Sequence, residues 1–191
     1  MLLMTALTTF SLCRRTRCTA AGLLLPAILP LVLGSACLCG QTGPHDLRAF
    51  FSPNGGCTDA VVSALREARK TVLVQAYSFT SAPIAKALAE AKQRGVDVQV
   101  ILDKSQRTER YSGAAFLANN GIPVFIDAGH RIAHNKVMII DGQTVITGSF
   151  NFTKAAESGN AENVLLALHA PELAKKYSEN WREHLAHSGK Y

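Results

Sequence analysis

HNKVMIIDGQTVITGSFNFT, residues 134–153, holds two apolar runs of strand length on either side of Asp141-Gly142, a dipeptide that favours a tight hairpin turn. The reading is two antiparallel strands, His134–Ile140 and Thr144–Ser149. VMII has no polar side chain on either face, so its strand needs cover on both sides. VLVQAY at 72–77 reads the same way.

Outward from this hairpin, runs of strand length alternate with amphipathic stretches. The expected strands are Leu47–Phe51, Thr71–Phe79, Val96–Leu102, Ile122–Ile126 and Glu162–Leu168. The expected helices are Thr58–Ala68, capped by Thr58, Ala82–Arg94, ended by Gly95, Ser112–Asn120, stopped by Gly121, and Pro171–His187, with Pro171 in its first turn. Helices on both faces of a mixed sheet predict an α/β fold, a three-layer α/β/α sandwich. No internal repeat is visible, and 191 residues suffice for one such domain.

Within 134–153 the side chains carry chemistry. Strand alternation puts His134 and Lys136 on one face and Asn135 and Val137 on the other. Asp141 has the opposite parity and lies at the turn, which suits bracing better than reaction. Ser149 and Asn151 share a parity just after Gly148, where backbone can approach a ligand closely. An imidazole, an ammonium, a hydroxyl and an amide suit a tetrahedral oxyanion, with Lys136 as a point charge and Ser149 and Asn151 as directional donors. No HxH or carboxylate cluster accompanies Lys136, so no metal is expected at this site.

The spacing His134-x-Lys136-x4-Asp141-x6-Gly148-Ser149-x-Asn151 resembles the HKD signature of the phospholipase D superfamily. With AENV at 161–164, the stretch from about Leu47 to about Leu168 is similar to the small, single-motif bacterial endonucleases of the Nuc type. The resemblance implies His134, Lys136, Asp141 and Glu162 as catalytic residues, with Lys136, Ser149 and Asn151 holding the substrate phosphate. In this family one histidine attacks the phosphodiester to form a phosphohistidine, and a second, from another copy of the motif, protonates the leaving oxygen. Glu162 matches the acid that hydrogen-bonds the reactive imidazole. This chain has one copy of the motif, so the resemblance implies a homodimer that completes the active site. The expected activity is metal-independent hydrolysis, without a cofactor, of DNA or also RNA, with no sequence specificity. A phospholipase D-type lipid hydrolase or phosphatidyltransferase has the same chemistry and stays open. A non-catalytic nucleic-acid-binding module is a further alternative, against which an intact His134 and Lys136 argue.

The remaining residues bound the setting. Net charge is +6, but Arg14, Arg15 and Arg17 precede the first acid, Asp46; without them 17 basic residues face 14 acidic, or +3. Such mild basicity permits an anionic partner without demanding one. From Ala20 to Cys39 the chain runs twenty residues without a charge, behind that basic flank. Residues 1–40 read as a signal peptide or an N-terminal membrane anchor, and 41–191 as the catalytic domain. Pro26, Pro30 and the small residues Gly34 and Ala36 favour cleavage. Either version exports the domain, to the periplasm or medium, or holds it outside the cytoplasm on an anchor; membrane contact follows only in the uncleaved case.

Of five cysteines only Cys57 lies in the domain, read as a buried or semi-buried free thiol at a helix start, and one thiol rules out a disulfide framework there. His130, His169, His184 and His187 read as loop, strand-end and helix-tail residues. Trp181 and Tyr177 are expected to pack the last helix on the sheet, and Phe150 and Phe152 to pack beneath the site. Lys104, Arg107, Arg110 and Arg131 are either phosphate contacts at a cleft mouth or ordinary solvated charges.

Overall fold

The structure, a computed structural model, describes residues 46–109 and 112–191. Residues 1–40, read above as signal or anchor, and Arg110 lie outside the described residues. Among those described, no helix is long and apolar enough to cross a membrane.

Eight strands form one mixed sheet: β1 (Asp46–Phe51), β2 (Thr71–Ala76), β3 (Asp97–Asp103), β4 (Val124–Asp127), β5 (Lys136–Ile140), β6 (Thr144–Gly148), β7 (Asn163–Leu168) and β8 (Gly189–Lys190). Their order is β1-β7-β6-β5-β2-β3-β4-β8. β2, β3 and β4 run parallel, and all other neighbours pair antiparallel. The helices are α1 (Cys57–Glu67), α2 (Ala82–Gln93), α3 (Ala114–Asn119), α4 (Lys154–Ser158) and α5 (Pro171–Ala186).

Period-two alternation sorts the strand residues into two cores. Val72, Val74, Val98, Val100, Met138, Ile140 and Ile146 pack with the buried residues of α1, α2 and α3. Ile101, Val137, Ile139 and Val145 pack with Ala174 and Trp181 of α5. The three layers expected from the doubly apolar strands are present. Tyr177 packs against the second cluster, and the Trp181 indole donates to the Val74 carbonyl at 2.9 Å, pinning α5 to the centre of the sheet. Phe150 and Phe152 are buried in the first cluster.

Strand ends differ from expectation by up to three residues. β2 stops at Ala76, and His134 lies two residues before β5. α4, β8 and a 3-10 turn at Lys104–Arg107 have no counterpart in the sequence reading. Asp141 and Gly142 both take positive φ, 54° and 65°, as the hairpin turn requires. Thr58 does not cap α1: Glu157 of α4 accepts from Thr58 N–H at 2.6 Å and Gly56 N–H at 3.2 Å. A charged carboxylate from across the fold thus satisfies donors that the local hydroxyl was expected to take. Cys57 is fully buried and free, and burial, with the Glu157 and Glu162 carboxylates, pushes its thiol pKa up.

Candidate active site

The site forms where β5 begins and β6 ends. The antiparallel register pairs Lys136 with Ala76 on one side, and Val137 with Thr147 on the other, which puts Gly148 beside Lys136. Gly148 has φ 152°, and a Cβ there would collide with the Asn163 carbonyl of β7. The close approach inferred for this glycine is therefore to a neighbouring strand. It draws β7 against the end of β6, and with it the segment carrying Glu162.

His134 is exposed, while Lys136 keeps only 7% of its surface. The Lys136 Nζ lies 3.0 Å from His134 Nδ1 and 3.2 Å from Nε2, and donates to the His134 carbonyl at 2.7 Å. The shared face inferred from strand parity is realised. Burial lowers the Lys136 pKa, and the nearby Glu162 carboxylate pulls it back up. An open imidazole beside a fixed, desolvated ammonium suits attack on an anion whose developing charge needs a cation.

Tyr77, which the sequence reading missed, forms the wall of this pair. Its ring centroid is 4.5 Å from that of His134, and Lys136 Nζ lies 5.3 Å from the Tyr77 centroid. The Tyr77 N–H donates to the Asn135 carbonyl at 3.0 Å, so the segment just before β5 is stitched to the end of β2. Tyr77 was legible only as a strand residue, because its partnership with His134 depends on the β2–β5 pairing.

Glu162 sits on the β7 side. Its carboxylate accepts from Asn151 N–H at 3.2 Å and from Asn160 Nδ2 at 2.8 Å. Among the described residues it makes no hydrogen bond to His134. In this chain Glu162 reaches the site through Asn151 and through its charge beside Lys136. Among the described residues Asn151 Oδ1 is buried without a partner. Ser149 Oγ accepts from Asn163 N–H at 3.1 Å and from its Nδ2 at 3.3 Å, leaving the hydroxyl hydrogen free to donate.

Asp141 does not join the group. It lies at the far end of β5, about 17 Å of strand from Lys136. Its carboxylate accepts three backbone N–H bonds, from Arg69 at 2.9 Å, Lys70 at 2.7 Å and Thr71 at 2.9 Å. Burial raises its pKa and these three bonds more than offset it, so the carboxyl sits below its ordinary value. The catalytic role that the resemblance implied for Asp141 does not fit this placement: the carboxylate ties the β5–β6 turn to the start of β2, as its parity suggested. The loop cations are also tied down, Lys104 Nζ donating to the His130 carbonyl at 3.0 Å and Arg107 to the Lys190 carbonyl at 3.2 Å, while Arg131 is exposed.

Known proteins share this frame. The model of the family described as cardiolipin synthase, PLD-like domain, matches residues 61–185. A phospholipase D of Rickettsia typhi is 45% identical over 137 residues, covering 72% of this chain and 67% of that protein. The human mitochondrial cardiolipin hydrolase is 32% identical over 149 residues, 78% of this chain and 55% of that protein, so the match spans little more than half of the hydrolase. Among solved structures, the phospholipase D family member Nuc from Salmonella typhimurium superposes with a TM-score of 0.75 at 42% identity, covering 78% of this chain and 99% of that one. NucT from Helicobacter pylori gives 0.72 at 25% identity, with 78% and 100% coverage. The extent of these matches, over a fold that brings the imidazole and ammonium of the HKD pattern within 3.0 Å of each other, makes this chain a member of the phospholipase D superfamily of phosphodiesterases.

Proposed function

We propose that the chain is a metal-independent endonuclease that cleaves DNA without sequence specificity. Its cleft is shared by two copies of the chain, and the domain works outside the cytoplasm. The observation that carries the reaction is the exposed His134 imidazole against the buried Lys136 ammonium, 3.0 Å apart. His134 attacks phosphorus, forming a P–N bond as the P–O bond to the leaving group breaks. The same histidine of a second copy, entering as imidazolium, gives its proton to the departing oxygen. Water then attacks the phosphohistidine, passes its proton to that now neutral imidazole, and frees His134 for another cycle. Lys136, Ser149 and Asn151 hold the phosphoryl oxygens, doing by charge and hydrogen bonding what a divalent cation does in other nucleases.

Nucleic acid is favoured by the likeness to Nuc-type chains, which extends along the whole Salmonella structure, and the mild basicity of the domain permits it. A second reading, hydrolysis of a phospholipid, is supported by the names of the Rickettsia and human relatives. The purified full chain, incubated in EDTA with plasmid DNA and separately with cardiolipin or phosphatidylcholine vesicles, decides between them. The proposal expects plasmid nicking that persists in EDTA and disappears in His134→Ala. Turnover of lipid alone would transfer the assignment to the second reading, and full loss in EDTA restored by magnesium would refute the mechanism.

A further inference from the structure

Away from the HKD pair, four side chains from two segments far apart in the chain converge on one point. Asp127, at the end of β4, is completely buried. Its Oδ2 lies 2.9 Å from His130 Nδ1, 2.7 Å from His184 Nδ1 and 3.4 Å from His187 Nε2. The ring centroids are 4.7 to 5.4 Å apart, and one ligand atom from each residue falls within 4.8 Å of all the others. Gly129 makes this possible: a Cβ there would come to 2.9 Å from the His187 ring.

Three imidazole nitrogens crowd one carboxylate oxygen, while Oδ1 already accepts from Gly129 N–H at 3.0 Å and lies 3.2 Å from His130 Nδ1. A cation among them resolves the crowding, because each neutral ring then offers a lone pair. Zinc bonds to nitrogen at about 2.0–2.1 Å, so the ligand atoms of a tetrahedral site lie about 3.3 Å apart. The three distances to Asp127 Oδ2, 2.7, 2.9 and 3.4 Å, stand near that spacing. Imidazole-rich sites with one carboxylate select zinc-like transition metals over magnesium or calcium, which prefer all-oxygen shells.

We propose that Asp127, His130, His184 and His187 bind one zinc-class divalent ion, which clamps the end of α5 and the loop after β4 onto the sheet edge. The site is structural. From β5 to β4 is three strand spacings, about 14 Å, so the ion supplies nothing to the phosphate chemistry. The same loop runs on to His134 and is held by the Ala133 N–H bond to Asp103 at 2.8 Å. The ion thus anchors the base of the segment that presents the reactive imidazole.

The full chain, kept in detergent and stripped with EDTA, is titrated with cobalt and then zinc. Expected are the intense visible bands of four-coordinate cobalt, bleached by zinc, and one zinc equivalent per chain that survives gel filtration. The His130→Ala/His187→Ala double variant alters two half-exposed rings; it is expected to lose that equivalent, and zinc is expected to raise the melting temperature of the wild type alone. Equal zinc retention by both proteins would overturn the proposal. So would a wild-type cobalt spectrum that is six-coordinate or dominated by thiolate charge transfer, which holds as a test even if the double variant fails to fold.

Discussion

At the scale of single residues, Lys136 and Asp141 separate reaction from support. Lys136 is a buried ammonium whose pKa is lowered, first by burial, so in the folded state its charge is a cost at neutral pH. The unfolded chain binds the proton more readily, and the Lys136 contribution therefore disfavours folding until pH rises toward its ordinary value of 10.5. Lys136→Met is expected to lower kcat by at least about a hundredfold, the scale of losing an oxyanion donor, while the thermal midpoint at pH 7 rises. A midpoint that falls would show the ammonium to be a net structural asset.

Asp141 carries the opposite sign. Its carboxyl is depressed, so its stabilisation is present above its ordinary value of 3.8 and is lost as pH falls through the lower folded-state value. Removing the three charge-assisted bonds in Asp141→Ala should cost about 2–3 kcal/mol in denaturant unfolding at pH 7, with a smaller difference from wild type below pH 3 and kcat within about threefold of wild type. Strand parity made both roles legible, because alternation along β5 is local. Tyr77, and the meeting of Asp127 and His130 with the distant His184 and His187, were not legible. They depend on which strands become neighbours and where α5 ends.

Among the elements, apolar runs marked β2, β3, β5, β6 and β7, and β5, buried along its whole length, shows why a doubly covered strand admits few polar residues. Short pieces escaped: α4 has five residues and β8 two, too few to show a period. Yet α4 supplies the cap of α1. Thr58 suggested a local cap, and the structure replaces it with a carboxylate 99 residues away in sequence, which local propensity cannot reveal. Glu157→Ala is expected to lower unfolding free energy by about 1–2 kcal/mol, whereas Thr58→Ala should fall within about 0.5 kcal/mol of wild type. Chemical denaturation of the two variants checks the contrast, and a larger loss in Thr58→Ala would restore the local cap.

For the whole molecule, three layers followed from doubly apolar strands, but the sheet order did not. Sequence neighbours β5 and β6 pair through their turn, whereas β1 beside β7 and β8 beside β4 close the two edges through pairings of residues far apart in the chain. That order sets the Gly148 end of β6 next to Lys136 and brings Glu162 near it. It leaves one imidazole and one ammonium at the candidate site, half of what the two-histidine transfer proposed above would use. Turnover of a radiolabelled oligonucleotide, quenched and mapped by peptide digestion under conditions that preserve phosphoramidates, tests this most directly. Label bound through nitrogen at His134, absent from His134→Ala, is the predicted result; turnover that never leaves label on His134 would contradict the account.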